Sequence, residues 1–237
     1  MSMKILSLDA SATSASICIY DIDENKLIGE FYINTKLTHS QTLVPMIDAL
    51  LTSTKLELDD IDFFAVNTGP GSFTGIRIAV SVIKGMAMAL DKPCVSVSTL
   101  ESMAYNFVDF ENTIVCACMD ARRNQVYNAL FRVNKTAVER LCEDRAVNAL
   151  ELLDELNGFS ERVVLVGDGA QLVFDQRSGL SNIELSVSTK RYQTASSVAL
   201  CALNNINNGE TLSSFALMPT YLRPSQAERE RLNKEKE

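Results

Sequence analysis

Four short stretches carry the side chains that could do chemistry. Asp9 closes the first apolar strand, KILSLD, and ASATS follows it. Asp120-Ala121-Arg122-Arg123 stands in the same relation to a later strand, TIVCACMD. Residues 67–80 read NTGPGSFTGIRIAV, a strand end running through glycines into a helix, and a second glycine turn, GDGA, spans 167–170. An acid at a strand end can hold a metal-bound phosphate, and the free N–H groups of a helix start attract anions. Asp9, Ser11, Gly69, Gly71, Ser72, Arg122, Gly167, Asp168 and Gly169 are therefore the candidate contacts for a nucleotide or a partner.

Each stretch also has a plainer reading. A nucleotide P-loop is G-x-x-x-x-G-K-[ST], whereas here five residues separate Gly69 from Gly75, and Ile76 rather than Lys follows. The same glycines suit a sharp strand-to-helix corner. Ala10, not Gly, follows Asp9, which favours a hairpin cap over close approach of a phosphate, and Asp and Arg are ordinary turn residues. The glycines of GDGA are needed for the turn itself. His39 is the single histidine, so one chain cannot supply a two-histidine metal site, and any imidazole acid–base chemistry rests on that residue. The six cysteines sit mostly in apolar runs without a C-x-x-C and read as reduced core residues. No catalytic residue, metal site or cofactor is expected.

The 237 residues, 46% of them apolar, can fill the core of one large domain or two small ones. Twenty-two basic and 30 acidic side chains leave a net charge of −8, which offers no broad positive field to a nucleic acid. The opening apolar run is too short for a signal peptide, and no later stretch reads as a membrane span. The cytoplasm is the expected location.

Strands are expected at 4–9, 15–20 and 27–34, joined by tight turns into an antiparallel meander. A helix follows over 38–53, opened by a Thr38/Gln41 capping box and kinked at Pro45. A strand at 61–66, the glycine corner, a helix to Leu90, a strand at 94–98 and a helix over 99–107 complete the half. The order then begins again: over 113–131 a strand, Asp120-Ala121 matching Asp9-Ala10, a short polar turn and a second strand follow one another, and a third strand at about 136–142 precedes a helix around AVNALELLDEL, a strand RVVLVG, the turn GDGA and a helix at 194–208. The fold class is α/β, a duplicated βββαβα unit with mixed sheets and flanking helices. The halves are expected at 1–108 and 109–224, with a charged tail at 225–237 packing weakly on the first half. The helices at 38–53 and 75–90 are apolar over more surface than one sheet face needs. Leu43, Met46, Ile47, Leu50, Gly75, Ile76, Ala79, Val80 and Ile83 are expected to meet a partner there.

A duplicated βββαβα unit with Asp at its first hairpin resembles the actin, sugar-kinase and Hsp70 superfamily, whose halves are ribonuclease H-like. Within it, ILSLDASATSASICI, HSQTLVPMIDALL, AVNTGPGSFTGIRI with KGMAMAL, MDARRNQVY and the closing strand PTYLRP resemble the bacterial TsaB (YeaZ) family over essentially the whole chain. The resemblance implies an accessory role in placing threonylcarbamoyl on the adenosine next to the anticodon of tRNAs reading codons that begin with A. It implies a TsaD-like catalytic partner, or a second copy of the chain, on the helix pair, a TsaE-like ATPase, and tRNA met through the complex. TsaD-like proteins carry two metal-binding histidines after the strand that follows the glycine-corner helix. The matching places fall near Thr99 and Met103, neither of which replaces an imidazole. Two other functions stay open on fold grounds. An ATP-dependent phosphotransferase would bind ATP with magnesium, though sugar kinases are longer. A metallopeptidase would need an H-E-x-x-H that this chain lacks.

Overall fold

The computed structural model describes residues 2–35 and 37–223; the tail expected at 225–237 lies outside the described residues. In the first half, β1 (Lys4–Asp9), β2 (Ser14–Asp21) and β3 (Lys26–Asn34) form the expected meander, followed by α1 (His39–Thr54), β4 (Phe63–Gly69), α2 (Phe73–Leu90), β5 (Cys94–Ser98) and α3 (Thr99–Ala104). The sheet runs β3-β2-β1-β4-β5, with β4 parallel to both β1 and β5.

The second half repeats this plan more fully than the sequence suggests. It comprises β6 (Thr113–Asp120), β7 (Gln125–Asn134), β8 (Ala137–Arg140), β9 (Arg145–Asn148), α4 (Ala149–Leu156), β10 (Arg162–Val166), α5 (Ala170–Gln176), β11 (Ile183–Leu185), α6 (Ser188–Arg191) and α7 (Ala195–Asn207). Its sheet runs β8-β7-β6-β10-β11, the same order as the first. The expected third strand is β8, which pairs with Phe131–Asn134, and an additional strand, β9, pairs with Gln125–Asn128 of the long β7. Residues 146–148, expected in a helix, are thus drawn into the sheet, and the helix starts at Ala149, where Asn148 Oδ1 accepts the Leu150 N–H at 2.9 Å. α5, β11 and α6 had no expectation; they are short and have weak periodicity of their own.

Alternation along the strands gives each sheet two buried faces. Leu6, Leu8, Ile17, Ile19, Phe64 and Val66 pack under α1 and α2, whereas Ile5, Cys18, Tyr20, Ala65 and Val95 pack under α7. In the second sheet Ile114, Cys116, Leu130 and Val163 meet α4 and α5, while Val115, Ala117, Phe131 and Val164 meet Leu100, Met103 and Ala104 of α3. The two halves therefore exchange helices: α3 covers the second sheet and α7 the first. Polar contacts tie the exchange. Ser7 Oγ donates to the Ala195 carbonyl at 2.7 Å, and the Glu30 carboxylate accepts the N–H and Oγ–H of Ser196 at the start of α7. Arg140 of β8 bridges Glu101 of α3 (2.7 Å) and Asp144 (2.6 Å), and Asp144 accepts Ser98 Oγ–H. All six cysteines are free thiols, five of them buried.

Several local expectations are corrected. Thr38 is the N-cap of α1, yet no side-chain capping bond forms there among the described residues. Pro45 lies inside α1, as expected, on its exposed side. α2, at 18 residues, is long and apolar enough by length and composition to cross a membrane, contrary to the sequence reading. Here its inner face packs on β4, and Lys84 Nζ donates to the Phe215 and Leu217 carbonyls. Most important, the nine residues expected at a partner interface are core. Leu43, Met46, Ile47, Leu50, Gly75, Ile76, Ala79, Val80 and Ile83 are all buried against the sheet or its loops. The apolar surplus was real, but the deepest side chains of each helix serve this chain's own sheet. The outer faces carry Val44, Asp48 and Ala49 on α1, and Ser81, Gly85 and Met88 on α2, with Ile78 and Val82 half-buried.

Two pairs of substitutions separate these faces by urea denaturation. Ile83→Ala empties a fully buried site and costs about 2–5 kcal/mol, whereas Met88→Ala, at 58% exposure, stays within about 0.5 kcal/mol. A methyl on Gly75 meets the Ala10 carbonyl, so Gly75→Ala destabilises. The space around Gly85 is open, so Gly85→Ala stabilises by about 0.5–1 kcal/mol.

Candidate functional site

The loops at the carboxyl ends of β1, β4, β6 and β10 meet between the halves around a cleft of about 390 Å³. Its wall includes Ser11, Gly71, Ser72, Arg122 and Asp168, so five of the candidate contact residues do converge. Sequence reasoning missed Tyr127, Tyr221 and Arg223, which also line it. PTYLRP was the available signal. Its described residues, 219–223, form an irregular segment rather than the expected strand. Thr220 N–H donates to the Thr68 carbonyl at 2.8 Å, Tyr221 stacks on Phe73 at 4.7 Å, and Arg77 Nε donates to Tyr221 Oη. Arg223 reaches Gln125 Oε1 at 2.9 Å.

The glycine corner is filled by the chain itself. Ser72 caps α2 by accepting the Gly75 N–H, and Ser72 N–H donates to the Ser11 carbonyl at 2.6 Å. Gly71 holds φ at +154°, and a side chain there would run into that same Ser11 carbonyl. Thr220 closes on Gly69 in the same way. At the second turn Gly167 N–H donates to the Arg191 carbonyl and Gly169 N–H to the Cys118 carbonyl, with backbone of Cys118 and Met119 packed against both glycines. These four N–H groups are therefore committed within the fold, and the glycines are required by backbone crossing backbone. Both turns are thus sharp corners, and these four N–H groups are not free to cradle a phosphate.

The acids behave differently from one another. Asp9 does not reach the cleft: it is fully buried, and its Oδ1 accepts from Ser11 Oγ (2.6 Å), Asn67 Nδ2 (2.7 Å) and Ser11 N (3.3 Å). Burial raises its pKa against the pull of those hydrogen bonds and of His39. Asp168 accepts the Asp120 N–H at 3.0 Å, and Asp120 pairs with Arg122 at 3.2 Å on the exposed hairpin. Arg122, Arg123 and Asn124 all have positive φ, which turns the hairpin tightly. His39 opens α1, with Nε2 2.8 Å from the Ala12 carbonyl.

Thr99 and Met103 are buried between the halves, Met103 beside Gly167. A hydroxyl and a thioether do not fit the metal centre implied by the resemblance to TsaD. Among the described residues no three His, Cys, Asp or Glu side chains gather as a metal site.

The family model "TsaD: tRNA N6-adenosine threonylcarbamoyltransferase" matches residues 28–225. The tRNA threonylcarbamoyladenosine biosynthesis protein TsaB of Bacillus subtilis (strain 168) is 29% identical, over 95% of this chain and 96% of its own. The TsaB of Buchnera aphidicola subsp. Acyrthosiphon pisum is 31% identical over 73% of this chain and 78% of its own. The solved structure of YeaZ from Pseudomonas aeruginosa superposes with a TM-score of 0.80 at 24% identity, covering 93% of this chain and 100% of that one. Taken with the duplicated fold and its two glycine corners, these matches make the chain a member of the TsaB (YeaZ) family, the tRNA threonylcarbamoyladenosine biosynthesis proteins related to TsaD.

Proposed function

We propose that the chain is a non-catalytic subunit that binds and organises a TsaD-like catalytic partner, so that the partner transfers threonylcarbamoyl to the adenosine beside the anticodon. The observation carrying this is the contrast between its two surfaces. In the cleft, the N–H groups of Ser72, Gly75, Gly167 and Gly169 are engaged by the chain, and Asp9 is sealed beneath it. On the helix pair, Val44 and Met88 are each 58% exposed, near half-buried Ile78 and Val82 and the open surface at Gly85. An apolar face that the described residues leave uncovered, with a small residue in it, suits the close approach of another helix pair.

The docking residues are accordingly the outer ones, Val44, Ile78, Ser81, Val82, Gly85 and Met88, in place of the buried nine. Docking acts by population shift: it favours the partner conformation whose active cleft is ordered. The same face serves a second copy of the chain when the partner is absent. A TsaE-like ATPase completes the assembly, and tRNA is held mainly by the other subunits, since a net charge of −8 opposes phosphate binding. The setting is the bacterial cytoplasm.

Reconstitution tests the role. With TsaD-, TsaE- and TsaC-like proteins, threonine, bicarbonate, ATP and tRNA, modified adenosine should form only when this chain is added. Equal product without it sinks the proposal, and magnesium-dependent ATP turnover by the isolated chain would then favour a phosphotransferase. For the interface, Val44→Glu combined with Gly85→Arg should leave the melting temperature within a few degrees of the parent. It should weaken association with the partner by at least about tenfold, or about 1.4 kcal/mol. Unchanged association, measured by titration calorimetry, rules out this face.

A further inference from the structure

Beneath the cleft wall, Asp9 lies at the end of β1 in a setting that suits an acid better than an anion. Three donors, Ser11 Oγ–H, Ser11 N–H and Asn67 Nδ2–H, converge on Oδ1 alone. Oδ2 is buried without a partner, and so is Oδ1 of Asn67, the residue already bonded to Asp9. None of the ion pairs among the described residues includes Asp9. A carboxylate shares its charge over both oxygens and needs donors at both. A carboxylic acid needs acceptance at one oxygen and has a proton to give from the other.

We infer that Asp9 is a neutral acid in the folded protein, with Oδ2–H donating to Asn67 Oδ1 and Asn67 Nδ2–H donating back to Asp9 Oδ1. The ring of two hydrogen bonds satisfies both orphaned atoms at once, where an ionised Asp9 would leave two acceptors facing no donor in a site closed to water. Desolvation pushes the carboxyl in the same direction. The titratable groups that act on it are His39 from α1 and Tyr32 from β3, with Tyr192 in the turn before α7 beside Tyr32. The pair clamps the end of β1 to the end of β4. From those two strands leave the Ser11 and Gly71 loops that wall the cleft. The proton on Asp9 therefore supports that wall from beneath, and Asp9 has no charge with which to recruit a cation.

The test is carbon-13 NMR of the aspartate side-chain carboxyls in the intact chain, followed from about pH 4 to about pH 8. The Asp9 resonance is assigned by through-bond correlation to its own amide, which needs no variant. A protonated shift persisting at neutral pH is expected; titration at or below the ordinary value of 3.8 overturns the inference. Stability gives a second readout. If the folded pKa is raised, the contribution of Asp9 is complete below the unfolded value and is lost progressively as pH climbs to the folded value. Asp9→Asn keeps the two-bond ring and cannot ionise. The melting temperature of D9N minus that of the parent should therefore grow as pH rises from the unfolded value, and a flat or shrinking difference also overturns the inference.

Discussion

The structure depends on one packing constraint: both sheets are apolar on both faces, and each half covers only one face of its sheet with its own helices. β1 illustrates it, with Leu6 and Leu8 turned to one core and Ile5 to another, all fully buried. Exposing either face would forfeit roughly 1.5–3 kcal/mol for each large side chain uncovered. The exchange of α3 and α7 resolves this, each half lending one helix to the sheet of the other. The duplicated units are thereby welded into a single body, with Arg140, Glu101, Asp144 and Ser98 bonded across the seam.

The cleft is a consequence of that weld. Strands β1, β4, β6 and β10 end at the same level, so their loops meet, and backbone must cross backbone at short range. The glycines of both turns occupy those crossings. The N–H groups of Ser72, Gly169 and Gly167 are spent on the Ser11, Cys118 and Arg191 carbonyls, so loops resembling a phosphate cradle in composition act as structural joints in their bonding. Residues 220–223 close the joint from outside, with Arg77 lying over Phe73 and bonded to the Tyr221 hydroxyl.

The same constraint determines what remains for a partner. α1 and α2 give their deepest side chains to the first sheet, and among the described residues no helix covers their outer faces as α7 covers the opposite face of the sheet. The small residues of α2 illustrate the division. Gly75 and Ala79 face inward, where Gly75 allows the helix to touch the Ala10 carbonyl, while Gly85 and Ala89 face outward into open space.

Much of the fold was legible because its signals are local. Alternating apolar strands, the Asp-Ala hairpins at 9–10 and 120–121, and the strand-to-helix glycine corners mark the duplication without reference to distant residues. Side-chain chemistry was determined equally directly: one histidine cannot make a pair, and Thr99 and Met103 cannot act as imidazoles. What only the tertiary structure decided concerns direction and long-range partnership. An apolar surplus on α1 and α2 could be read from the residues, but which of them face the sheet depends on the register of each helix over strands far away in sequence. That register assigned the nine expected interface residues to the core. The convergence of Tyr127, Tyr221 and Arg223 on one cleft depends likewise on partners far away in sequence, as Arg223 is from Gln125, and so does the exchange of α3 and α7. The sequence by itself determined which chemical groups are present and what each segment can fold into; the closing of the chain on itself decided which of those groups are consumed inside and which are left to meet another molecule.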